Sequence, residues 1–149
     1  EGDFVTQFGS TGTEPGQFDE PVGITIDQEG LVYVADTWNS RIQIFAPDTT
    51  GNNFTLLRAW EVSAWAGQSL DNKPYIATAP GGRLLVADPE GYRVLKFDQE
   101  GKLIMGWGDY SSDLDGFGLV SGVAVAPDGS VWVSDGANNR ILKFILPAE

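Results

Sequence analysis

Apolar positions in this chain fall in short runs of four to six residues, and a turn signal follows each run. Between Gly23 and Phe45, the runs Gly-Ile-Thr-Ile, Leu-Val-Tyr-Val and Arg-Ile-Gln-Ile-Phe are separated by segments rich in Asp, Gly, Thr, Asn and Ser. Such runs, rich in β-branched and aromatic residues, predict β-strands, and no segment has the period of a long helix. The pattern predicts three strands joined by two tight turns.

The same three-strand unit occurs three times. Its most regular landmark is an aspartate five residues before an arginine, and the run that begins at that arginine ends in phenylalanine. The copies are spaced 52 and then 47 residues apart, as from Asp36 to Asp88 and from Asp88 to Asp135. Repeats of this length are typical of propellers and solenoids.

A fourth strand is predicted after each of the first two units, in Phe54–Trp60 and in Lys102–Trp107. Four antiparallel strands in about 45 residues are typical of a propeller blade. We therefore predict an all-β fold, a single β-propeller unit over residues 1–149 with three four-stranded blades. The predicted blades span residues 22–60, 74–107 and 121–145.

The two ends of the chain are predicted to be complementary. Phe8 lies 15 residues before Gly23, just as Trp60 lies 15 residues before Tyr75. Residues 4–8 are therefore predicted to be a fourth strand that has no blade of its own in front of it. The third unit, in contrast, has no predicted fourth strand.

Turn residues support this alignment. The first hairpin of each unit closes with a glycine, which tolerates positive φ. These glycines are Gly30, Gly82 and Gly129. The second hairpin carries Asn or Gly three residues after the aspartate, and this residue is predicted to adopt left-handed geometry. The residues concerned are Asn39, Gly91 and Asn138.

Pro21 to Phe45 resembles the NHL repeat, whose hallmark is Pro-x-Gly-Ile-Ala-Val-Asp followed by Gly-x-Val-Tyr-Val-Ala-Asp-Thr-x-Asn-x-Arg-Ile-Gln-Val-Phe. The leader from Phe8 to Phe18 matches the family as well, and the third unit is a good match. The second unit departs from the motif, with Asp-Pro-Glu-Gly from Asp88. The resemblance covers nearly the whole chain and implies a β-propeller, usually of six blades. It does not imply a reaction, because this fold carries unrelated functions.

Three blades are too few to close a ring, since propellers have about four to eight. Two chains would supply six. We therefore predict a two-fold homodimer in which residues 4–8 of one chain pair with Arg140–Phe144 of the other. The open alternative is that these residues are half of a longer propeller within one chain.

The amino-acid composition limits the classes of partner and the types of catalysis that are expected. The net charge is −12, with 9 Lys and Arg against 21 Asp and Glu, so nucleic acid is not an expected partner. The chain has no His and no Cys, which excludes a Ser-His-Asp triad and a cysteine nucleophile, and no catalytic residue is predicted. No membrane contact by this segment is predicted, because it lacks an apolar run of about 18 residues. The compartment is not predicted, and an extracytoplasmic domain of a larger protein is a working hypothesis.

An Asp–Arg pair recurs at the base of each second hairpin, and this repetition predicts turn capping and ion pairing rather than catalysis. The pairs are Asp36/Arg41, Asp88/Arg93 and Asp135/Arg140. The acidic loop from Asp109 to Gly116 lacks the spacing of an EF-hand, so neither a metal site nor a cofactor is predicted. Calcium stays open as the metal that oxygen ligands in a central channel would bind.

Aromatic residues in loops are the predicted binding residues, since Trp and Tyr are enriched at recognition sites. Trp38, Asn39 and Tyr92 lie in the second hairpins, and Trp65 lies in the loop that leads into the second blade. For the two tryptophans, packing against a neighbouring blade is the alternative. The tryptophans predicted to be core are Trp60, Trp107 and Trp132.

We therefore predict a non-catalytic binding or scaffold module that recognises protein or carbohydrate with the loop face of the propeller. The alternative is an enzyme. Relatives of NHL propellers include lyases and lactone-hydrolysing proteins with a metal in the central channel, so the resemblance allows a calcium-dependent lyase or lactonase-like activity.

Overall fold

The computed structural model of the chain describes residues 2–147. Within these residues, eleven strands form three antiparallel sheets, and strands that follow each other in sequence are neighbours in the sheet. The first sheet contains β1 (Pro21–Ile26), β2 (Val32–Asp36), β3 (Arg41–Pro47) and β4 (Phe54–Glu61). The second contains β5 (Ile76–Ala79), β6 (Arg83–Asp88), β7 (Arg93–Phe97) and β8 (Leu103–Trp107). The third contains β9 (Val120–Val125), β10 (Val131–Asp135) and β11 (Arg140–Phe144).

The predicted all-β architecture of three blade-like units is confirmed. Two sheets have four strands and the third has three, because β11 is followed by no further strand in the described residues. The repeated aspartate and arginine end corresponding ladders: in the first sheet Asp36 pairs with Arg41, and in the third Asp135 pairs with Arg140.

The sheets stack face to face through two apolar layers. In the first layer Tyr33 and Ile42 of the first sheet meet Leu84 of the second. In the second layer Leu85 meets Val131 of the third sheet. Leu84 and Leu85 are adjacent in sequence and point to opposite faces of the middle sheet, as the two-residue period of a strand requires. Both faces of that sheet are therefore buried.

Each sheet thus has two distinct faces. We call the face that packs on the following sheet the leading face, represented by Tyr33 and Ile42 in the first sheet. The face that packs on the preceding sheet is the trailing face. In the third sheet the leading-face counterparts are Trp132 and Ile141, and both are exposed. The prediction that Trp132 is core is therefore wrong for the single chain, because no sheet follows the third one in the part of the chain that the structure describes.

Residues 4–8 form no ladder within the chain, so the predicted strand is absent from the single chain. A strand needs a neighbour for its backbone hydrogen bonds, and the predicted neighbour belongs to a second copy. Phe8 nevertheless has a defined position. Its ring lies 4.9 Å from that of Phe45 and 4.8 Å from that of Phe54, centroid to centroid.

The turns follow the prediction in the first hairpins and differ by one residue in the second. Gly30, Gly82 and Gly129 have positive φ, as predicted. In the second hairpins the left-handed residue is the fourth after the aspartate, rather than Asn39, Gly91 or Asn138. The left-handed residues are Ser40, Tyr92 and Asn139. The two asparagines serve instead as hydrogen-bond donors, as described below.

A short 3-10 helix (Ser63–Trp65) interrupts the loop between β4 and β5. No helix in the described part of the chain is both long and apolar enough to span a bilayer.

Candidate binding face

One edge of the sheets collects the second hairpins and the loops that lead into the blades, and we call this edge the loop face. The lead-in loops are residues 9–20, 62–75 and 108–119. At this edge the backbone N–H of Trp38 donates to the carbonyl of Asp19 (3.1 Å), and that of Gly136 donates to the carbonyl of Leu119 (2.9 Å). The first and third lead-in loops therefore lie against their second hairpins.

Asp36 joins the first lead-in loop to the first sheet. Its buried carboxylate accepts hydrogen bonds from the backbone N–H of Asp19 (2.8 Å), from Asn39 (2.9 Å) and from Arg41 (2.7 Å). Asn39 also donates to the carbonyl of Gly12 (3.0 Å). Arg41 donates to three further loop carbonyls, those of Thr13, Glu14 and Gln17. The amide of Asn39, a predicted binding residue, is thus engaged within the chain.

The third lead-in loop is held in the same way. The buried carboxylate of Asp135 accepts from the backbone N–H of Leu119 (3.0 Å), from Asn138 (2.8 Å) and from Arg140 (2.9 Å). Burial acts to raise the pKa of Asp135, but the hydrogen bonds from these three donors outweigh it, and its pKa is lowered from the ordinary value. Arg140 also donates to loop carbonyls, those of Ser112, Asp113 and Gly116.

The second hairpin lacks part of this arrangement. Gly91 stands in the place of the asparagine, and a Cβ there would lie 2.2 Å from Oδ2 of Asp88. Asp88 still pairs with Arg93 (2.7 Å), but the arginine side chain is 43% exposed, compared with 15% for Arg41. Gln68 supplies another donor to Asp88 (2.8 Å). The second lead-in loop is therefore held differently.

Buried apolar residues anchor the second lead-in loop. Trp65 is fully buried in the layer between the first and second sheets, and its indole N–H donates to the carbonyl of Ala87 (3.2 Å). Leu70, which stands at the repeat position of Phe18 and Phe117, is buried beside it. The expectation that Trp65 is an exposed binding residue is wrong, and the alternative of packing against the blades is right.

Trp38 lies exposed at the junction of the first and second blades. Its indole N–H donates to Glu20, and Lys73 forms an ion pair with the same carboxylate. The Lys73 ammonium lies 5.7 Å from the centre of the indole ring. Hydrogen bonds from Lys73 and then from Trp38 lower the pKa of Glu20 from its ordinary value. The ring is held by two neighbours while 44% of the residue remains exposed.

A second aromatic group lies at the junction of the second and third blades. Tyr92 and Tyr110 have ring centroids 4.8 Å apart and planes tilted by 58°, and Tyr110 is 74% exposed. Tyr110 is absent from the predicted binding residues. In the sequence, Tyr110 could have been identified as an aromatic residue in the third lead-in loop, at the repeat position of Thr11. In the structure, Thr11 and Tyr110 each form a parallel bridge to a phenylalanine.

The residues described in the structure bring no three acidic side chains together in a group that could hold a metal ion. On the edge opposite the loop face, the first hairpins surround a groove that is lined by Ile26, Asp27, Thr78 and Val125, among others. Asp27 accepts a hydrogen bond from the hydroxyl of Tyr33 (3.0 Å). Calcium bound by oxygen ligands in a central channel stays an open alternative.

The NHL repeat family model matches residues 18–45 and 117–144, the first and third repeats. The chain contains NHL repeats. The second repeat, in which Gly91 replaces the asparagine, lies outside both matches. Two similar curated proteins are the E3 ubiquitin-protein ligase TRIM71 of Rattus norvegicus, 46% identical over 43 residues, and the human NHL repeat-containing protein 3, 49% identical over 41 residues. These matches cover 29% and 28% of this chain, but only 5% and 12% of the two relatives.

Solved structures extend the similarity to the whole fold. The β-propeller domain of Cps50 (Swd1) from Myceliophteria thermophila superposes with a TM-score of 0.61 at 11% identity, over 83% of this chain and 37% of that domain. Virginiamycin B lyase from Staphylococcus aureus superposes with a TM-score of 0.52 at 14% identity, over 87% of this chain and 42% of the lyase. At such identities the similarity concerns the fold alone, and the three sheets are β-propeller blades.

Proposed function

We propose that this chain is a non-catalytic recognition module whose loop face binds a protein partner. The observation that carries the proposal is the pair of exposed aromatic groups, Trp38 with Lys73 and Tyr92 with Tyr110, each of which bridges a blade junction on one face. Trp and Tyr are enriched among residues that dominate binding energies. The Trp38 ring is held by Glu20 and Lys73, and the Tyr92 ring is held by Tyr110. Such preorganised side chains lose less conformational entropy when a partner binds.

Charge favours a basic protein over a carbohydrate. The chain carries a net charge of −12, and a field of this sign raises the association rate of positively charged partners. The loop face itself presents the acidic third lead-in loop beside Tyr110. A basic protein would use the exposed aromatic groups, the negative net charge and the acidic third lead-in loop. A neutral carbohydrate would use only the aromatic rings.

Arrayed peptides and arrayed oligosaccharides test this function. The fluorescently labelled chain is expected to bind peptides rich in Lys and Arg, and Trp38→Ala and Tyr110→Ala should each weaken binding by about tenfold or more, the loss typical of an aromatic hot spot. Leu57→Ala is the matched control, because Leu57 is also exposed but lies on the outer strand β4. Binding that survives both loop-face variants, or that occurs only with oligosaccharides, would contradict the proposal.

The module is proposed to act as a ring of six blades made from two copies. The leading face of the third sheet is exposed, and so is Ile24 at the edge of the trailing face of the first sheet, although other residues of that trailing face are covered within the chain. The repeat counterparts of these exposed residues are buried inside the chain. Ile24 is 65% exposed whereas its repeat counterpart Ile76 is 6% exposed. Ile141 is 63% exposed whereas its counterpart Ile42 is fully buried. In the proposed dimer, the leading face of one copy's third sheet packs on the trailing face of the other copy's first sheet. This is the same kind of contact that joins neighbouring sheets within the chain.

The number of copies follows from ring closure. Propellers have about four to eight blades, so two copies of three blades fit this range and three copies do not. Sedimentation equilibrium of the 149-residue chain should give twice 16.0 kDa. Ile141→Lys, which places a charge on the leading face, should give a monomer with an unchanged circular dichroism spectrum. A wild-type monomer at all concentrations would contradict the dimer and favour further blades of a longer chain as the cover.

A further inference from the structure

The two blade junctions inside the chain show where the end of a fourth strand lies on the next blade. Trp60, which is near the end of β4, packs on Phe97 of the second blade with ring centroids 6.5 Å apart. Trp107 ends β8 and packs on Phe144 of the third blade at 5.7 Å. In both cases the aromatic residue crosses from its own sheet to the final phenylalanine of the next repeat.

Phe8 occupies this same position on the first blade. Its ring lies 4.9 Å from Phe45, the first repeat's counterpart of Phe97 and Phe144. The backbone that follows is also shared: Gly9 (φ +90°) and Gly108 (φ +103°) each turn so closely past a phenylalanine ring that an added Cβ would lie 2.4 Å from it. The N-terminal segment therefore enters the first blade as β8 enters the third.

The third sheet is the one with a free outer strand. Among residues 2–147, β11 pairs with β10 on one side only, whereas its counterparts β3 and β7 each pair with a fourth strand. Phe8 already packs on Phe45 of the first sheet, on the trailing face that the third sheet of a second copy would adjoin. The exposed Phe4 and Val5 point to a partner outside the chain.

The two complete blades also give the register. Trp60 lies opposite Ile42, and Trp107 lies opposite Val94. Four residues earlier, Leu56 lies opposite Phe45, and Leu103 lies opposite Phe97, and both ladders carry a register shift just before these last pairs. Because the repeat positions correspond one to one, the same rule can be applied to Phe8 and β11.

We propose that residues 4–8 of one copy form the fourth strand of the third blade in a second copy, with Phe8 opposite Ile141 of the partner subunit and Phe4 opposite Phe144 of the partner subunit. A register shift falls at Val5. This inference rests on the proposed six-bladed dimer and specifies how it is joined. In a two-fold ring the exchange occurs twice, and it supplies β11 with the backbone hydrogen bonds that its edge otherwise offers to any strand.

Cysteine pairs test the register directly, because the natural chain contains no cysteine. The proposed ladder places Thr6 opposite Lys143 of the partner subunit, by analogy with Arg58 opposite Ile44. A chain with T6C and K143C should therefore form a covalent dimer under mild oxidation, seen as a shift from 16.0 kDa to twice that mass on a non-reducing gel. The matched control, T6C with I141C, keeps both cysteines on one face but shifts the register by two residues, and it should remain uncrosslinked.

The results of these experiments distinguish the proposed strand exchange and its register from the proposed dimer. A sedimentation dimer in which T6C with I141C crosslinks and T6C with K143C does not would overturn the register and leave the six-bladed ring standing. An intrachain disulfide, or a dimer that persists unchanged when residues 2–8 are deleted, would overturn the strand exchange. A wild-type monomer at all concentrations would overturn both proposals. Covalent dimers with the first pair alone support the exchange.

Discussion

The first and third lead-in loops are held to their blades by a buried aspartate with an asparagine and an arginine, whereas the second is held by the buried indole of Trp65. An apolar anchor is common to the loops, since Leu70 stands at the repeat position of Phe18 and Phe117. The three loops start from the same repeat position, and the three aspartates are all buried. In the second repeat Gly91 removes one donor, and Arg93 turns further into solvent. Where the polar contacts to the aspartate are fewer, a buried indole adds to the contacts that hold the loop on the blade edge.

Replacing the buried indole should have the largest effect. Trp65→Ala removes a fully buried indole and is expected to lower the free energy of unfolding by about 3–5 kcal/mol. Chemical denaturation at a single protein concentration measures this loss, since self-association would add a concentration dependence. A loss below 1 kcal/mol would mean that the loop does not depend on Trp65.

Replacing the arginine of a polar clamp should have the next largest effect, and the effect should depend on the blade. Arg41→Ala leaves a buried carboxylate without its cation and should cost about 3 kcal/mol. Arg93→Ala, at the more exposed pair, should cost about 1.5 kcal/mol. Equal losses in the two variants would show that the clamps do not differ in strength.

Restoring the missing asparagine in the second blade should not strengthen the clamp. Gly91→Asn introduces a Cβ that would lie 2.2 Å from Asp88, and such overpacking typically costs about 1–3 kcal/mol. The same denaturation experiment checks this expectation. A stabilised variant would show that the Asp88 carboxylate can move aside and that glycine is not required.

Acid should weaken the polar clamp of the third blade. The folded chain lowers the pKa of Asp135 from the ordinary value of 3.8, so the stabilisation is present above that value and is lost as the pH falls through the lowered folded pKa. Asp135→Asn should therefore show a shallower loss of stability with acid than the wild type. Parallel acid profiles for the two proteins would argue against a role for this carboxylate.

The smallest effect on stability is expected at Trp38. Its ring is partly exposed and stands outside the apolar layers, so Trp38→Ala should change the free energy of unfolding by no more than about 0.5 kcal/mol. This variant is the stability control for Trp65→Ala and keeps the binding experiment interpretable. A loss comparable to that of Trp65→Ala would place Trp38 among the structural residues.

The repeats made most of the fold predictable. Strands, hairpins and the Asp–Arg pairs recur three times, so an error at one copy is corrected by the other two. Trp65 has no aromatic counterpart in the other repeats, so nothing in the sequence indicated that its loop turns inward. The left-handed position was misplaced by one residue, because asparagine is as common in donor positions as in left-handed ones.

The loop face was partly predictable for the same reason. Trp38 and Tyr92 could be located because they are aromatic residues within aligned hairpins, although they stand at different repeat positions. Tyr110 could be aligned with Thr11 by spacing, but nothing in the sequence indicates that its ring packs on Tyr92 of the second blade. Contacts between loops of different repeats are tertiary, and single-sequence patterns do not encode them.

The unlike ends of this arc have a consequence for growth. A leading face can join only a trailing face, so addition of copies has a direction, like that of a head-to-tail polymer. Heterologous contacts of this kind produce a filament unless their curvature brings the last subunit back to the first. The angle between neighbouring blades therefore sets the number of blades in a closed ring. A change that reduced this angle at one junction would convert a closed, soluble particle into an open fibre.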